Sequence, residues 1–528
     1  MSANTRVTTS DGVVQGKPVG DLLTWRGIPY AAPPVGPLRL RAPAPVEPWQ
    51  GVRDATEWGN ASVQHKKGTM LSPGKYQPSS EDCLTLNVLA PSRPSSTPRP
   101  VMVFIHGGAY TLGTSATPLY GGGSLVRRSL EDSEGIVYVS LNYRLGVLGY
   151  LDLSQFSTEA RQFDANLGLR DQVAALEWVQ RNIAQFGGDP ENVTIFGESA
   201  GGNAVTTLLA TPAARGLFHR GIAESSAPGL VATKERATEW AREFVGFLGN
   251  GDNAAQALDS ADVTSLGRAG TKLAFTVLNR TPGLHPFGPV IDGDFLPENP
   301  LDACHAGSAH QVPLIIGTNS REGTLFPKIL DALPTNPERI DKMFSLTDPD
   351  ARDRVVEAYP GYPGEAAAID VGGDFTFWKP SLELAEAHSR LAPTFSYRFE
   401  EEDRYAPEGV PTIEVRSDFE GAARGVEMVV QVVRVLDPSN QPMLVIQALS
   451  APRLRLHDGR RGEYVSPLRD TDHTLILRNQ EMEEAGRITQ RAPARVGLRV
   501  RALARRNRSE QRSLSLARSR SVRKSRVA

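Results

Sequence analysis

Short, mostly apolar runs recur along the first 400 residues, with amphipathic stretches between them. Pro100 to Ile105 reads Pro-Val-Met-Val-Phe-Ile and is followed by Gly107-Gly108, which predicts a buried strand feeding a loop. Gly135 to Leu141, Asn192 to Phe196 and Val312 to Gly317 repeat the pattern. Between the second and third of these, Leu169, Val173, Leu176, Val179 and Ile183 recur three or four positions apart. That spacing predicts one apolar helix face over 168–186, stopped by Gly187-Gly188. Buried strands alternating with amphipathic helices predict an α/β fold, a mostly parallel central sheet covered by helices on both faces. No self-similar repeat at a period of about 20–50 residues is present, which argues against a solenoid.

The rhythm has two interruptions. Pro91-Ser-Arg-Pro-Ser-Ser-Thr-Pro98 lies between two strand-like runs and reads as a surface loop. After Tyr397-Arg398-Phe399 the alternation loses regularity, and all six Trp lie at or before Trp378. This predicts a folded α/β unit over 1–428 and an atypical segment over 429–528.

Composition changes the picture mainly at that end. At 40% hydrophobic and 22% charged, the 528-residue chain has a globular balance. No apolar run approaches the roughly 18 residues that span a bilayer. The first residues, MSANTRVTTSDG, are polar, and Cys83 and Cys304 are the two cysteines, so a reducing cytoplasmic location is the expectation. The net charge of −2 hides an asymmetry. Residues 487–528 carry thirteen Arg and one Lys against Glu510, a net of +13, which leaves −15 on the preceding 486 residues. Clustered Arg can bind phosphates, but no aromatic residue follows Tyr464 to stack on bases. A disordered, solvated tail from about residue 487 and no nucleic-acid partner are therefore expected.

The candidate chemistry sits between strand and helix. Gly197-Glu198-Ser199-Ala200-Gly201 matches G-x-S-x-G, directly after the third strand and before the helix-like run Ala204 to Leu209. In that context small residues permit a sharp strand-to-helix turn that presents Ser199 as a nucleophile. The following helix N-terminus, starting at Ala200, offers N–H groups to a developing oxyanion. Ile105-His106-Gly107-Gly108-Ala109-Tyr110 ends the first strand and resembles the loop that supplies further oxyanion donors. Each such donor stabilises the transition state by about 3–4 kcal/mol. His106 is read as orienting this loop, not as the base. No H-E-x-x-H, C-x-x-C or strand-borne G-x-G-x-x-G appears, so neither metal nor organic cofactor is expected.

These stretches resemble the type-B carboxylesterases, the α/β-hydrolase group that includes para-nitrobenzyl esterases and is related to cholinesterases. The resemblance also rests on Trp25-Arg-Gly-Ile-Pro-Tyr-Ala-Ala-Pro-Pro-Val-Gly36, Ser80-Glu-Asp-Cys-Leu-Thr-Leu-Asn87, Asn142-Tyr-Arg-Leu-Gly-Val-Leu-Gly149, Asn166-Leu-Gly-Leu-Arg-Asp-Gln172 and Gly187-Gly-Asp-Pro-Glu-Asn-Val193. Together these span residues 8 to 400. The resemblance implies an α/β-hydrolase fold and hydrolysis of small carboxylic esters through an acyl-enzyme. It implies Glu322, in Gly317-Thr-Asn-Ser-Arg-Glu-Gly323, as the acid that orients the catalytic His. Asp292 is a rival carboxylate in a segment that looks structural. Glu198 is expected to be a buried supporting acid, and Cys83 a free buried thiol.

The resemblance breaks at the base. The family's His-Gly-x-Glu segment has its nearest match in Arg424-Gly425-Val426-Glu427, and no His occurs from Glu400 to Leu456. Arg stays protonated and cannot act as a general base. His388 reads as a partly exposed helix residue, which leaves His457, His473 or no base at all. One hypothesis is a reading-frame shift after about Met428, motivated by the missing late Trp, the lost rhythm and the +13 tail. Resequencing the coding DNA beyond the Phe399 codon tests it, and an unbroken frame in independent isolates would refute it. The competing class is a catalytically impaired member of the same family.

Overall fold

The computed structural model describes residues 5–400 apart from 132, 250–252 and 330–332, together with the backbones of strands at 412–416, 428–436, 442–450 and 474–476. The apolar runs become the centre of one 11-stranded sheet. Its strands, in chain order, are β1 (Lys17–Val19), β2 (Leu22–Pro29), β3 (Thr85–Pro91), β4 (Arg99–Ile105), β5 (Val137–Leu141), β6 (Gly188–Glu198), β7 (Arg220–Glu224), β8 (Leu314–Asn319), β9 (Thr394–Glu400), β10 (Thr412–Arg416) and β11 (Thr474–Ile476). They lie in the order β11-β10-β9-β8-β7-β6-β4-β5-β3-β2-β1. From β5 through β4, β6, β7 and β8 to β9 every pairing is parallel. Antiparallel β3 and β10 flank that block. The strands Met428–Leu436 and Pro442–Ser450 pair only with each other, in a separate hairpin.

Period-two alternation explains why the parallel strands are apolar throughout. Val101, Val103, Ile105, Val139 and Ile195 face one side, where they meet Val173 and Leu176 of α1 (Leu167–Asn182) and Val205 and Leu208 of α2 (Ala200–Leu209). Met102, Phe104, Tyr138 and Phe196 face the other side, against Leu125 and Val126 of the helix Gly123–Ser129. The helix expected over 168–186 is α1 followed by a tight turn, and Gly187 ends it at φ +81°. Within the Pro91–Pro98 segment Pro91 is the buried end of β3, and residues 92–98 form the largely exposed connection to β4. Cys83 and Cys304 are both buried free thiols. No helix among the described residues is long and apolar enough to cross a membrane.

One ion pair ties the loop after β5 to α1. Arg144 Nη2 lies 2.6 Å from Asp171 Oδ1, with side chains only 3% and 0% exposed. Arg144 Nε and its own backbone N–H also donate to Asp171 Oδ2. Removing one partner strands a buried charge, at a cost of about 3–5 kcal/mol. Asp171→Ala is therefore expected to lose that much stability, read from the shift of the urea midpoint. A midpoint within experimental error of the parent chain would show that the pair adds little.

His388 departs from its reading as partly exposed. It lies on α3 (Lys379–His388) and is fully buried among Leu384, Ala385 and Ala387. Its Nδ1 meets Thr394 Oγ1 at 2.8 Å, and its Nε2 meets the His310 carbonyl at 3.3 Å. The helix turns this side chain toward β9, so it locks two elements together.

Candidate active site

Gly107, Gly108, Ser199, Ala200 and Glu322 lie at the carboxyl-terminal edge of the parallel block, where open α/β sheets bind ligands. Ser199 follows β6 directly, at φ +59° and ψ −122°, a backbone setting that side chains other than Gly rarely adopt. Such strain costs on the order of 1–3 kcal/mol and persists only where the surroundings enforce it. Here the Ser199 N–H donates to the Glu224 carbonyl at 2.9 Å, and the Asn203 N–H donates to the Ser199 carbonyl at 2.8 Å. Gly201 lets α2 start against β4, because a Cβ there would overlap the Ile105 carbonyl.

The Gly107–Gly108 loop closes on the same point. Gly108 sits at φ +115°, and Ala109 and Tyr110 also have positive φ, so the chain turns back sharply. A Cβ added to Gly107 would overlap the Glu198 carbonyl and lie 3.2 Å from Ser199 Cβ. Among the described residues no acceptor takes the N–H of Gly107, Gly108 or Ala200. His106 braces this loop from behind. It stacks on Tyr143 with centroids 4.5 Å apart, and the Tyr143 hydroxyl donates to its carbonyl at 2.6 Å. Burial pushes its imidazole down to about 4, so it is neutral at ordinary pH. This agrees with a loop-orienting role.

Gly107→Ala would force the loop away from Ser199. Loss of one oxyanion donor costs about 10²–10³ in turnover. That loss is the expected result from initial rates on the purified variant, accompanied by a lowered urea midpoint because the added Cβ overlaps the backbone carbonyl of Glu198. An unaltered rate would remove Gly107 from the site.

Glu322 enters from the turn after β8. The Asn319 N–H donates to Glu322 Oε1 at 2.7 Å, and Asn319 Nδ2 donates to Oε2 at 3.2 Å. Asn319 Nδ2 also reaches the Ser225 hydroxyl at 3.3 Å, and that hydroxyl bonds the same carboxylate. Burial raises the Glu322 carboxyl above its ordinary value, opposed by these hydrogen bonds and by Arg398. Asp292 is committed elsewhere: it accepts from Asn166 Nδ2 and from the N–H groups of Asp294 and Leu296. Arg424, His457 and His473 lie outside the described residues.

A model of the carboxylesterase family matches residues 3–434. The chain belongs to the carboxylesterase family. It is 41% identical over 395 residues to the para-nitrobenzyl esterase of Bacillus subtilis (strain 168), covering 75% of this chain and 78% of that one. A solved PNB esterase superposes with a TM-score of 0.68 at 39% identity, over 77% of this chain and 81% of the other. A Geobacillus stearothermophilus carboxylesterase gives 0.66 at 33% identity, over 77% and 82%. The sheet is accordingly that of an α/β-hydrolase, as the strand pattern predicts, and ester hydrolysis is the activity class of this carboxylesterase.

Sequence reading missed three residues around the candidate site, all on the edge of the sheet. Ser225, at φ +48°, and Asn319 brace Glu322. Glu224 is 6% exposed, and its Oε1 has no partner among the described residues. Burial, then the charge of Glu198, drives its carboxyl well above the ordinary range. Glu198 itself opens to solvent, contrary to the expectation of a buried acid. Protein surrounds its other sides, and this crowding together with Glu322 pushes it up to about 7.

Proposed function

We propose that this carboxylesterase cleaves small carboxylic esters through an acyl-enzyme on Ser199. Glu322 supplies the orienting acid, and the N–H groups of Gly107, Gly108 and Ala200 hold the oxyanion. The observation that carries the reading is the strained Ser199 backbone set against the Gly107 loop. The proposed unit ends near residue 428, which the extent of the family match supports. A cytoplasmic location goes with it, supported by two free buried thiols. No nucleic acid or cofactor takes part in this scheme.

Arg424, in the family's His position by sequence, favours a second reading in which catalysis is impaired. Hydrolysis of a short-chain p-nitrophenyl ester separates the two. Turnover above buffer supports the first, and a rate equal to buffer supports the second, in which only the site's architecture is retained.

A further inference from the structure

We propose that Gln64 is a positioning residue of the oxyanion loop, which it clamps so that the Gly108 N–H stays turned toward the reacting carbonyl; the assignment rests on the serine-esterase reading above. Gln64 belongs to the long connection between β2 and β3, yet its side chain ends on the far end of the Gly107 loop. Its Oε1 accepts from the Gly113 N–H at 2.8 Å, and its Nε2 donates to the Gly113 carbonyl at 2.8 Å. A further bond from Nε2 to the Ser62 carbonyl, at 3.1 Å, anchors the amide to its own segment. A carboxamide offers a donor and an acceptor side by side, so it grips both polar groups of one backbone residue as a neighbouring strand would. Room for it comes from Gly68, where a Cβ would strike Gln64 Oε1.

Gly113, the residue that Gln64 grips, backs the oxyanion peptide. It has φ +109°, and a Cβ there would lie 2.5 Å from the Gly107 carbonyl oxygen and 2.6 Å from His106 Nδ1. His106 Nδ1 donates to that same carbonyl at 2.9 Å. The Gly107 carbonyl is therefore held between the His106 ring and the Gly113 backbone. A trans peptide points its C=O and N–H in opposite directions. A fixed Gly107 carbonyl thus fixes the Gly108 N–H, which no acceptor takes among the described residues. Rotation of this one peptide unit would replace the donor with a carbonyl oxygen, whose partial charge opposes an oxyanion. Gly108, at φ +115°, has no Cβ to resist that rotation.

The other contacts of the loop act elsewhere. The N–H groups of Thr111 and Leu112 donate to the Gly108 carbonyl and close the loop on itself. Asn142 Oδ1 accepts from the Ser115 N–H at 2.8 Å, and Gln77 Oε1 accepts from the Thr114 hydroxyl at 2.6 Å. These two hold the exit of the loop, whereas Gln64 holds the point that touches Gly107. An oxyanion forms only as Ser199 attacks, so loss of the clamp falls on kcat and leaves ground-state binding in place.

The test is kcat and KM for p-nitrophenyl acetate with the full chain and its Gln64→Ala, Gln64→Glu, Gly107→Ala and Ser199→Ala variants. Gln64→Ala is expected to lower kcat about 10- to 100-fold, as a small displacement of a catalytic group does, with KM within about twofold of the parent. Gln64→Glu keeps the acceptor but sets a carboxylate oxygen against the Gly113 and Ser62 carbonyls, so its kcat should fall between those of the parent and Gln64→Ala. Adding Gln64→Ala to Gly107→Ala should cost little more, because both act on the same peptide unit. Parent kcat in both Gln64 variants overturns this assignment alone, as does a raised KM at unchanged kcat or a pair of losses that multiply in the double variant. Should Gln64→Ala fail to fold, kcat of Gln64→Glu decides: a fall supports the clamp and the parent value overturns it. Equal rates in the parent and Ser199→Ala overturn the serine-esterase reading and this assignment together.

Discussion

Ser199→Ala is expected to lower ester turnover about 100-fold or more and to eliminate any burst of alcohol release. The substitution isolates chemistry from folding. Alanine keeps the Cβ, so it meets the same strain at φ +59° as serine does. The elbow is held by backbone bonds to Glu224 and Asn203, which the change leaves in place. The urea midpoint should therefore stay within error of the parent. A large fall in rate with unchanged stability assigns the loss to the missing nucleophile. A burst that persists would place the acyl group on another residue.

Arg424→His is expected to raise turnover by about 10²–10⁴, the usual contribution of a positioned general base. The argument is one of sequence: Arg424-Gly425-Val426-Glu427 resembles the family's His-Gly-x-Glu segment with one residue changed. A guanidinium stays charged and has no lone pair to accept the Ser199 proton. An imidazole at this position would accept the Ser199 proton and use Glu322 as its partner. The gain should disappear in the Arg424→His, Glu322→Gln double variant, because the imidazolium would lose its orienting acid. An unchanged rate in the single variant would mean that residues 421–427 are not the counterpart of the family segment.

The strands that centre the sheet were legible because each carries a short, mostly apolar run, as in β4, β5 and β8. Ser199 and Gly107 were legible because turns this tight demand small residues at fixed spacing. β7 was not foreseen. Its apolar stretch is only Gly221-Ile222-Ala223, too short to stand out, yet its end delivers Glu224 and Ser225. The brace from Asn319 to Ser225 joins residues 94 positions apart, so no local pattern announces it. Glu198 was expected to be buried because it adjoins the nucleophile. In the structure Glu198 is instead exposed. His388 shows the reverse case: a polar residue on a helix reads as surface until the helix is seen packed toward β9.

The central claim is that Ser199 carries the acyl group. Its most direct test is mass spectrometry of the full chain quenched during p-nitrophenyl ester hydrolysis, followed by peptide mapping. The account predicts one added acyl mass, located on the peptide that contains Ser199 and absent from Ser199→Ala. Steady hydrolysis with no acyl mass on that peptide would contradict it.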